Sequence, residues 1–214
     1  MRKILLVFAI SALSLPAFAQ KSKKQNTKPA DKEQALNPVP PTPAEDPNQR
    51  RAMEQANLMG PMHHYFMEWG GHWREELKIW SMTPGKNEPT PFLLDRTGMP
   101  RGEGRFLTCD FRGMVNGRMY EAYATYAYDN IKQKFIKTWC DNTGTGILVL
   151  EGDFDAKTNS IDFRGTTLDP LTKEKVNVRQ LLTMKDPNNH VLEIFIVTKD
   201  GKEIKTMELV SKRA

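Results

Sequence analysis

The sequence has few of the residues, and none of the short motifs, that mark common enzyme active sites. Its 214 residues include two cysteines and four histidines. The serine-nucleophile motif G-x-S-x-G, the glycine-rich phosphate loop and the zinc motif H-E-x-x-H are all absent from it. The sequence therefore indicates no catalytic residue and leaves any cofactor unknown.

Three of the histidines, His63, His64 and His72, lie close together in the chain. A protein metal site needs three or four convergent ligands, and no cysteine or carboxylate stands at a recognised spacing from these residues. We therefore predict no metal site. We expect these histidines at the surface of a helix or the edge of the core.

The one long apolar run, Ile4–Leu15, follows Arg2 and Lys3 and precedes Ala17-Phe18-Ala19. A basic start, an apolar stretch and an A-x-A site form the pattern of a secretory signal peptide over residues 1–19. The run is too short to span a bilayer comfortably, which disfavours the alternative of an uncleaved membrane anchor. We expect a soluble protein without a membrane span, exported to the periplasm or secreted.

Excess basic charge is missing from most of the chain. Of the net charge of +5, two charges belong to Arg2 and Lys3 and three to residues 20–51, so residues 52–214 are neutral. A domain that grips phosphates is itself basic, so we expect no nucleic-acid partner. Residues 20–48 are rich in Lys, Pro, Gln and Asn, with almost no large apolar side chains, and this composition predicts a disordered linker.

The chain does contain a regular series of short β-patterned segments. Residues 49–70 precede them as a helical segment, with helices at 49–59 and 62–69. From residue 71, alternating segments recur at about ten-residue spacing, joined by turns such as Asp200-Gly201. Residues 82–104 are rich in proline and predict a long loop, with at most a short edge strand at 90–94. The other predicted strands span residues 73–80, 105–112, 119–128, 134–140, 145–154, 161–167, 175–184, 190–198 and 203–212.

Strands joined by short turns predict an all-β fold, an antiparallel up-and-down barrel of about 8–10 strands over residues 71–214, because closure removes exposed edges. In this order Cys109 and Cys140 lie on strands separated by one other strand, about 10 Å apart. A disulfide needs Cα atoms about 4.4–6.8 Å apart. We therefore predict two free, buried thiols.

Several runs resemble a known family. Gly71-His72-Trp73 resembles the G-x-W of lipocalin-like, or calycin, barrels. Residues 61–212 resemble a bacterial family of exported calycin-like proteins, the domain of unknown function 1579, in these runs: Gly104-Arg105-Phe106-Leu107, Tyr128-Asp129, Trp139 with Asp141-Asn142 and Gly144-Thr145-Gly146, Asp169-Pro170 and Asp200-Gly201-Lys202-Glu203. The resemblance implies a calycin-type barrel after a short helix, and no chemistry. The chain departs from the family pattern in its proline-rich residues 84–104 and at Lys173, where glycine is more usual.

The last three predicted strands give one candidate site. A two-residue loop at 200–201 places Glu193 opposite Glu208, and a four-residue loop at 186–189 places Leu182 opposite Glu193. The face that carries these residues is the more apolar one, so we predict that it lines the interior as a ligand-binding site of Glu193, Glu208, Gln180 and Thr206. Adjacent buried carboxylates repel, so we expect at least one raised pKa. The alternatives are a shifted register, or an arginine from another strand that neutralises the pair.

Three classes of function stay open. The first is a binding module whose barrel holds a small, largely apolar molecule. The second is an enzyme that uses the carboxylate cluster on such a molecule. The third is a filled barrel that acts through its surface.

Overall fold

The computed structural model describes residues 46–81 and 88–214. The predicted signal peptide (1–19) and the predicted linker up to residue 45 lie outside the described residues. Two helices, α1 (Pro47–Ala56) and α2 (Pro61–Met67), come first, and neither has the length and apolarity needed to cross a membrane. The strands that follow are β1 (Gly71–Ile79), β2 (Thr90–Arg101), β3 (Phe106–Val115), β4 (Arg118–Asp129), β5 (Lys134–Asp141), β6 (Leu148–Asp155), β7 (Ser160–Leu168), β8 (Lys175–Asp186), β9 (Asn189–Val197) and β10 (Glu203–Arg213).

These strands close into a barrel. Each strand pairs antiparallel with the next one in the chain, and β1 pairs with β10. Buried residues occupy every second position of β8 from Val176 to Met184, which is the pattern of a strand with one face inside. The predicted all-β, up-and-down calycin-like barrel with short helices before it is confirmed.

The segment predicted as a long loop contains a central strand instead. β2 is 12 residues long and pairs with β1 on one side and β3 on the other. Pro91 pairs only with β1 and Pro100 only with β3, because the two neighbours cover different parts of β2. Each proline lies where one side of the strand has no partner, so its missing N–H need not remove a ladder hydrogen bond.

The helix α2 closes one end of the barrel. Phe66 in the helix and Trp69 just after it are at most 2 % exposed, and they pack on the inward rings of Phe135 and Tyr126. The guanidinium of Arg213, at the end of β10, donates to backbone carbonyl oxygens between α2 and β1. These contacts fix the helix over this end, which is filled with aromatic side chains.

Both cysteines are free, as predicted. The predicted burial is confirmed for Cys109 on β3, which lies opposite Ala124 of β4, but it is wrong for Cys140 on β5, which is half-buried and lies opposite Tyr123. Neighbouring residues of a strand point to opposite faces, so the two thiols lie on opposite faces of the barrel wall with β4 between them.

Candidate functional site

The end of the barrel away from α2 is lined by apolar side chains that keep part of their surface exposed. Inward residues near α2, such as Leu107, Phe135 and Phe163, are at most 1 % exposed. The barrel is therefore tightly packed near α2 and offers apolar surface at its other end. Seven strands each contribute one partly exposed residue there, and we call this set the mouth ring: Ile79, Phe92, Tyr120, Trp139, Leu148, Ile194 and Met207.

Strand pairing places the mouth ring on the inner face. Ile79 of β1 lies opposite Met207 of β10, and Met207 lies opposite Ile194 of β9. Ile194 in turn lies opposite Gln180 of β8, which is only 3 % exposed. Directly opposed residues point to the same side of a sheet, so this whole row faces the interior.

Beneath the mouth ring, Lys137 of β5 and Gln180 form what we call the floor pair. Nζ of Lys137 donates to Oε1 of Gln180 at 2.6 Å, and Lys137 is fully buried. The same nitrogen lies 5.3 Å from the ring centre of Trp139 and 5.5 Å from that of Tyr126. Because Trp139 belongs to the mouth ring and Gln180 is the neighbour of Ile194, the floor pair lies against the inner side of the ring.

The charge of Lys137 is stabilised by few neighbouring groups. Its pKa is lowered from 10.5 to about 7, mainly by burial; Cys109 and Glu75 oppose the shift and Arg96 adds to it. Lys137 forms no ion pair within the described part of the chain. Asp141, on the same face of β5, is four residues away, about 13 Å along the strand. Near neutral pH the amine therefore exists in both its charged and neutral forms.

A second buried polar group is centred on Arg96 of β2. Its guanidinium donates to Oε1 of Glu75 at 2.5 Å and to the Trp69 carbonyl at 3.0 Å, and it lies 2.8 Å from Nε2 of His190. The Ser211 hydroxyl donates to the other carboxylate oxygen of Glu75. Burial disfavours the charge of Arg96, but Glu75 outweighs it and the pKa of Arg96 is raised. Arg96 and Glu75 thus neutralise each other inside the barrel.

His190 is the neutral member of this group. Arg96 donates to its Nε2, so the ring hydrogen belongs on Nδ1, which has no partner among the described residues. Burial, and then the charges of Arg96 and Arg213, lower the pKa of His190 to about 2. His190 is therefore an acceptor for Arg96 and does not titrate near neutral pH.

The predicted carboxylate pair lies on the outside of the barrel. Glu193 and Glu208 are directly opposite each other, as the hairpin count predicts. Their predicted place in the interior is wrong, because they alternate with buried leucines and Lys205 donates to both carboxylates. Burial opposes the ionisation of Glu208, but Lys205 and Lys78 outweigh it, so the pKa of Glu208 is lowered rather than raised. Their ligand-binding role stays a prediction.

Turn geometry explains the misplaced face. The turn after β8 holds two residues rather than the predicted four, and a bulge precedes it. Leu182 therefore lies opposite Leu192 instead of Glu193. A second bulge, at Thr206 of β10, restores the pairing of the two glutamates farther along the strand. A slip of one residue moves every following side chain to the other face.

Gln180 and Thr206 are buried, in agreement with their predicted interior position. Gln180 belongs to the floor pair. The Thr206 hydroxyl instead donates to the backbone carbonyl of Ile194 at 3.2 Å, which gives that carbonyl a hydrogen-bond partner at the β10 bulge. The structure therefore brings one of the four predicted site residues to the mouth floor.

Lys137 and Arg96 are not among the site residues predicted from the sequence. Lys137 stands between Phe135 and Trp139 on one face of the predicted strand 134–140, and that alternation was signal enough to place it inside. Arg96 lies in the segment predicted as a loop, so its cross-strand pairing with Glu75 could not be predicted.

The histidines near α2 take structural positions. Nδ1 of His63, which is buried, accepts a hydrogen bond from the Gly60 N–H at 3.1 Å where the helix begins. His64 is exposed, and Nδ1 of His72 lies 3.2 Å from the Thr97 hydroxyl. Across residues 46–81 and 88–214, no three metal-ligating side chains come together.

A shallow, open groove of about 680 Å³ lies on the outer wall over β6 and β7. Its charged side chains pair with one another, Lys134 with Asp153 and Arg164 with Asp162. Exposed pairs of this kind are screened by water and contribute little. The groove is lined by the exposed side chains of Ile147 and Val149, but it lacks the buried polar group of the mouth, which is the stronger candidate site.

A closed antiparallel barrel, sealed by a helix at one end and lined by exposed apolar side chains at the other, defines a calycin-like barrel. Residues 59–213 match the model of the family described as protein of unknown function (DUF1579). The chain belongs to this family, which confirms the resemblance read from the sequence. A comparison with curated proteins gives no match.

Solved structures with a similar chain trace were also found. The S-type phycobiliprotein lyase CPES from Guillardia theta is similar at 8 % identity with a TM-score of 0.49, over 76 % of this chain and 96 % of that one. Rv2717c from M. tuberculosis is similar at 14 % identity with a TM-score of 0.49, over 73 % of this chain and 99 % of that one. At these identities and TM-scores the two likenesses assign no activity to this chain.

Proposed function

We propose that this barrel binds a small, largely apolar molecule at its mouth, with the mouth ring as the contact surface. The mouth ring carries the proposal, since its seven inward apolar side chains keep part of their surface exposed at the end of the barrel that α2 does not cover. Covering such surface is favourable by about 25 cal/mol per Å². Small barrels commonly hold one ligand in this way.

The polar atoms of the ring are already satisfied, which suits an apolar guest. The Tyr120 hydroxyl and Nε1 of Trp139 each donate to Oδ2 of Asp141 at 3.2 Å. Their ring surfaces therefore meet a ligand as apolar groups. The floor pair would orient the ligand, so Gln180 is the residue of the predicted set that enters this proposal, together with Lys137.

Neighbouring residues of β6 supply a matched test. Leu148 belongs to the mouth ring, whereas Val149 points outward and is 53 % exposed. Leu148→Arg places a charge at the mouth, and its long side chain can extend to water without unfolding the barrel. We expect it to weaken binding of the fluorescent probe N-phenyl-1-naphthylamine (NPN) by at least about tenfold.

Val149→Arg is the control, and it should change the NPN affinity by less than about twofold. Circular dichroism of both variants checks the fold. If both substitutions leave NPN binding unchanged, or if NPN does not bind the wild type, the mouth is not a binding site and the proposal fails.

The compartment forms a further part of the proposal. The basic start, apolar run and A-x-A site of residues 1–19 support export of the protein to the periplasm or beyond, where it would meet its ligand. N-terminal sequencing of protein recovered from the exported fraction should begin at Gln20. An unprocessed Met1 in the cytoplasmic fraction would contradict export.

A further inference from the structure

We propose that the molecule bound at the mouth is an organic acid whose anionic group binds the amine of Lys137. This inference rests on the proposed function. Of the charged side chains buried in the described barrel wall, Glu75 and Arg96 neutralise each other, whereas Lys137 has no anionic partner. A bound anion would supply that partner.

The other buried carboxylate is committed elsewhere. Asp169 lies in the turn after β7, four residues beyond Gly165, which is aligned with Lys137 across β6. That separation is about 13 Å along the strand. The backbone N–H groups of Leu171 and Thr172 donate to Oδ1 of Asp169 at 2.7 and 2.9 Å. Asp169 therefore stabilises its own turn.

Lys137 also has hydrogen-bonding capacity to spare. A protonated amine has three N–H groups, and Oε1 of Gln180 accepts one of them. The faces of Tyr126 and Trp139 attract the cation but supply no opposite charge. Buried donors without acceptors are costly, and an anionic oxygen entering past Trp139 would accept from them.

None of the described groups around Lys137 competes with a bound anion for its positive charge. Those that face it are Cys109 on β3, Glu75 on β1, Arg96 on β2 and Tyr126 on β4. Burial raises the pKa of both Cys109 and Tyr126, so these two stay neutral. Glu75 is held by Arg96, so the positive charge that remains is that of Lys137.

The proposal makes binding depend on pH. Burial lowers the pKa of Lys137 to about 7 in the free protein, and a bound anion would raise it again. Above neutral pH, an anion can bind tightly only if Lys137 takes up a proton, so its affinity falls as the pH rises. A neutral ligand of the same shape has no such dependence.

Two probes of one shape test this. NPN and 8-anilino-1-naphthalenesulfonate (ANS) share an aromatic body and differ by a sulfonate that stays ionised throughout. Both are titrated by fluorescence into the wild type and into Lys137→Met, which removes the charge and keeps a similar volume. We expect the ratio of ANS affinity to NPN affinity to fall at least about tenfold in the variant, because the amine of Lys137 would bind the sulfonate that NPN lacks.

The wild type alone gives a readout that does not depend on the folding of any variant. Its ANS affinity should fall by up to about tenfold per unit above about pH 7, while its NPN affinity stays constant. If both probes share one pH profile, or if the affinity ratio is unchanged in Lys137→Met, the acid is excluded and the proposed function stands. If NPN does not bind the wild type, the proposed function itself is excluded.

Discussion

The charged residues inside the barrel are of two kinds: those paired with an opposite charge and those without such a partner. Nε of Arg96 donates a short hydrogen bond to Glu75, and Ser211 and His190 satisfy more of the polar atoms of this pair. Such a pair is costly to break, because removing one partner leaves the other charged and buried. Lys137 has no such partner among the described residues, so its charge is a cost to the free protein.

The buried pair leads to a prediction for Arg96→Met. The substitution leaves the Glu75 carboxylate buried without a cation and should lower the free energy of unfolding by about 3–5 kcal/mol, measured in urea at neutral pH. Arg112→Met is the control, since the ion pair of Arg112 with Glu121 is exposed and its loss should cost less than about 1 kcal/mol. Replacing Glu75 by Leu together with Arg96→Met should recover part of the loss. Equal costs for the two single variants would mean that the buried Arg96–Glu75 pair contributes no more than an exposed ion pair.

Lys137 gives a prediction on pH and stability without ligand. Its pKa is about 7 in the folded protein and 10.5 ordinarily, so between these values the unfolded chain binds more protons. The wild type should therefore gain stability, relative to Lys137→Met, as the pH rises from about 7 to about 10, by up to about 1.4 kcal/mol per unit. Urea unfolding of both proteins at several pH values measures the difference. A difference that does not change with pH would mean that folding does not lower the pKa of Lys137.

For single residues, the sequence predicts well which side chains of a strand face the interior, but it predicts poorly which residues pair across strands. The inner face of β8 follows from period two, and so does the interior position of Gln180. What decides whether Glu75 is paired or alone is Arg96, 21 residues away. Contacts between strands require the register of both strands, and one sequence gives that register only where the turn is unambiguous.

Among the elements, β10 determines how the last hairpin is arranged. The bulge at Thr206 lets Glu208 oppose Glu193 on the outer face, while Leu209 and Ser211 remain inside. Lys205, just before the bulge, reaches both carboxylates. The bulge therefore converts two like charges at cross-strand distance into one network around a lysine.

Glu208→Gln tests this network. Lys205 and Lys78 lower the pKa of Glu208 against the opposing effect of burial, so its contribution is present above the ordinary glutamate pKa and is lost as the pH falls. The variant should lose about 0.5–1 kcal/mol of unfolding free energy near neutral pH and nothing in acid. The comparison is urea unfolding at two pH values, with the exposed Glu151→Gln as control. A stabilised variant at neutral pH would mean that repulsion from Glu193 prevails.

Most elements are predictable from the sequence, and the exceptions have local causes. Nine predicted strands correspond to strands of the barrel, because their alternation and turn residues agree. β2 was not predicted as a central strand because it contains Pro91 and Pro100. These prolines do exclude a strand that is hydrogen-bonded on both sides along its whole length. The bulges leave no clear mark in the sequence, and they are the reason why the predicted interior face of β9 and β10 is wrong.

As a whole, the molecule is a barrel with two unlike ends. One end is filled by α2 and a set of aromatic rings. The other end is lined by the mouth ring, with the Lys137–Gln180 floor pair below it. We propose that this second end is where a small, largely apolar molecule binds.

The most direct test is to map the contact surface by NMR while NPN is titrated into methyl-labelled wild-type protein. Binding at the mouth should produce shifts at the four methyl-bearing members of the mouth ring, Ile79, Leu148, Ile194 and Met207. Methyl groups packed near α2, those of Leu107, Ile161 and Leu182, should not move. Shifts confined to Ile147 and Val149 on the outer wall, or no shifts at saturating probe, would contradict it.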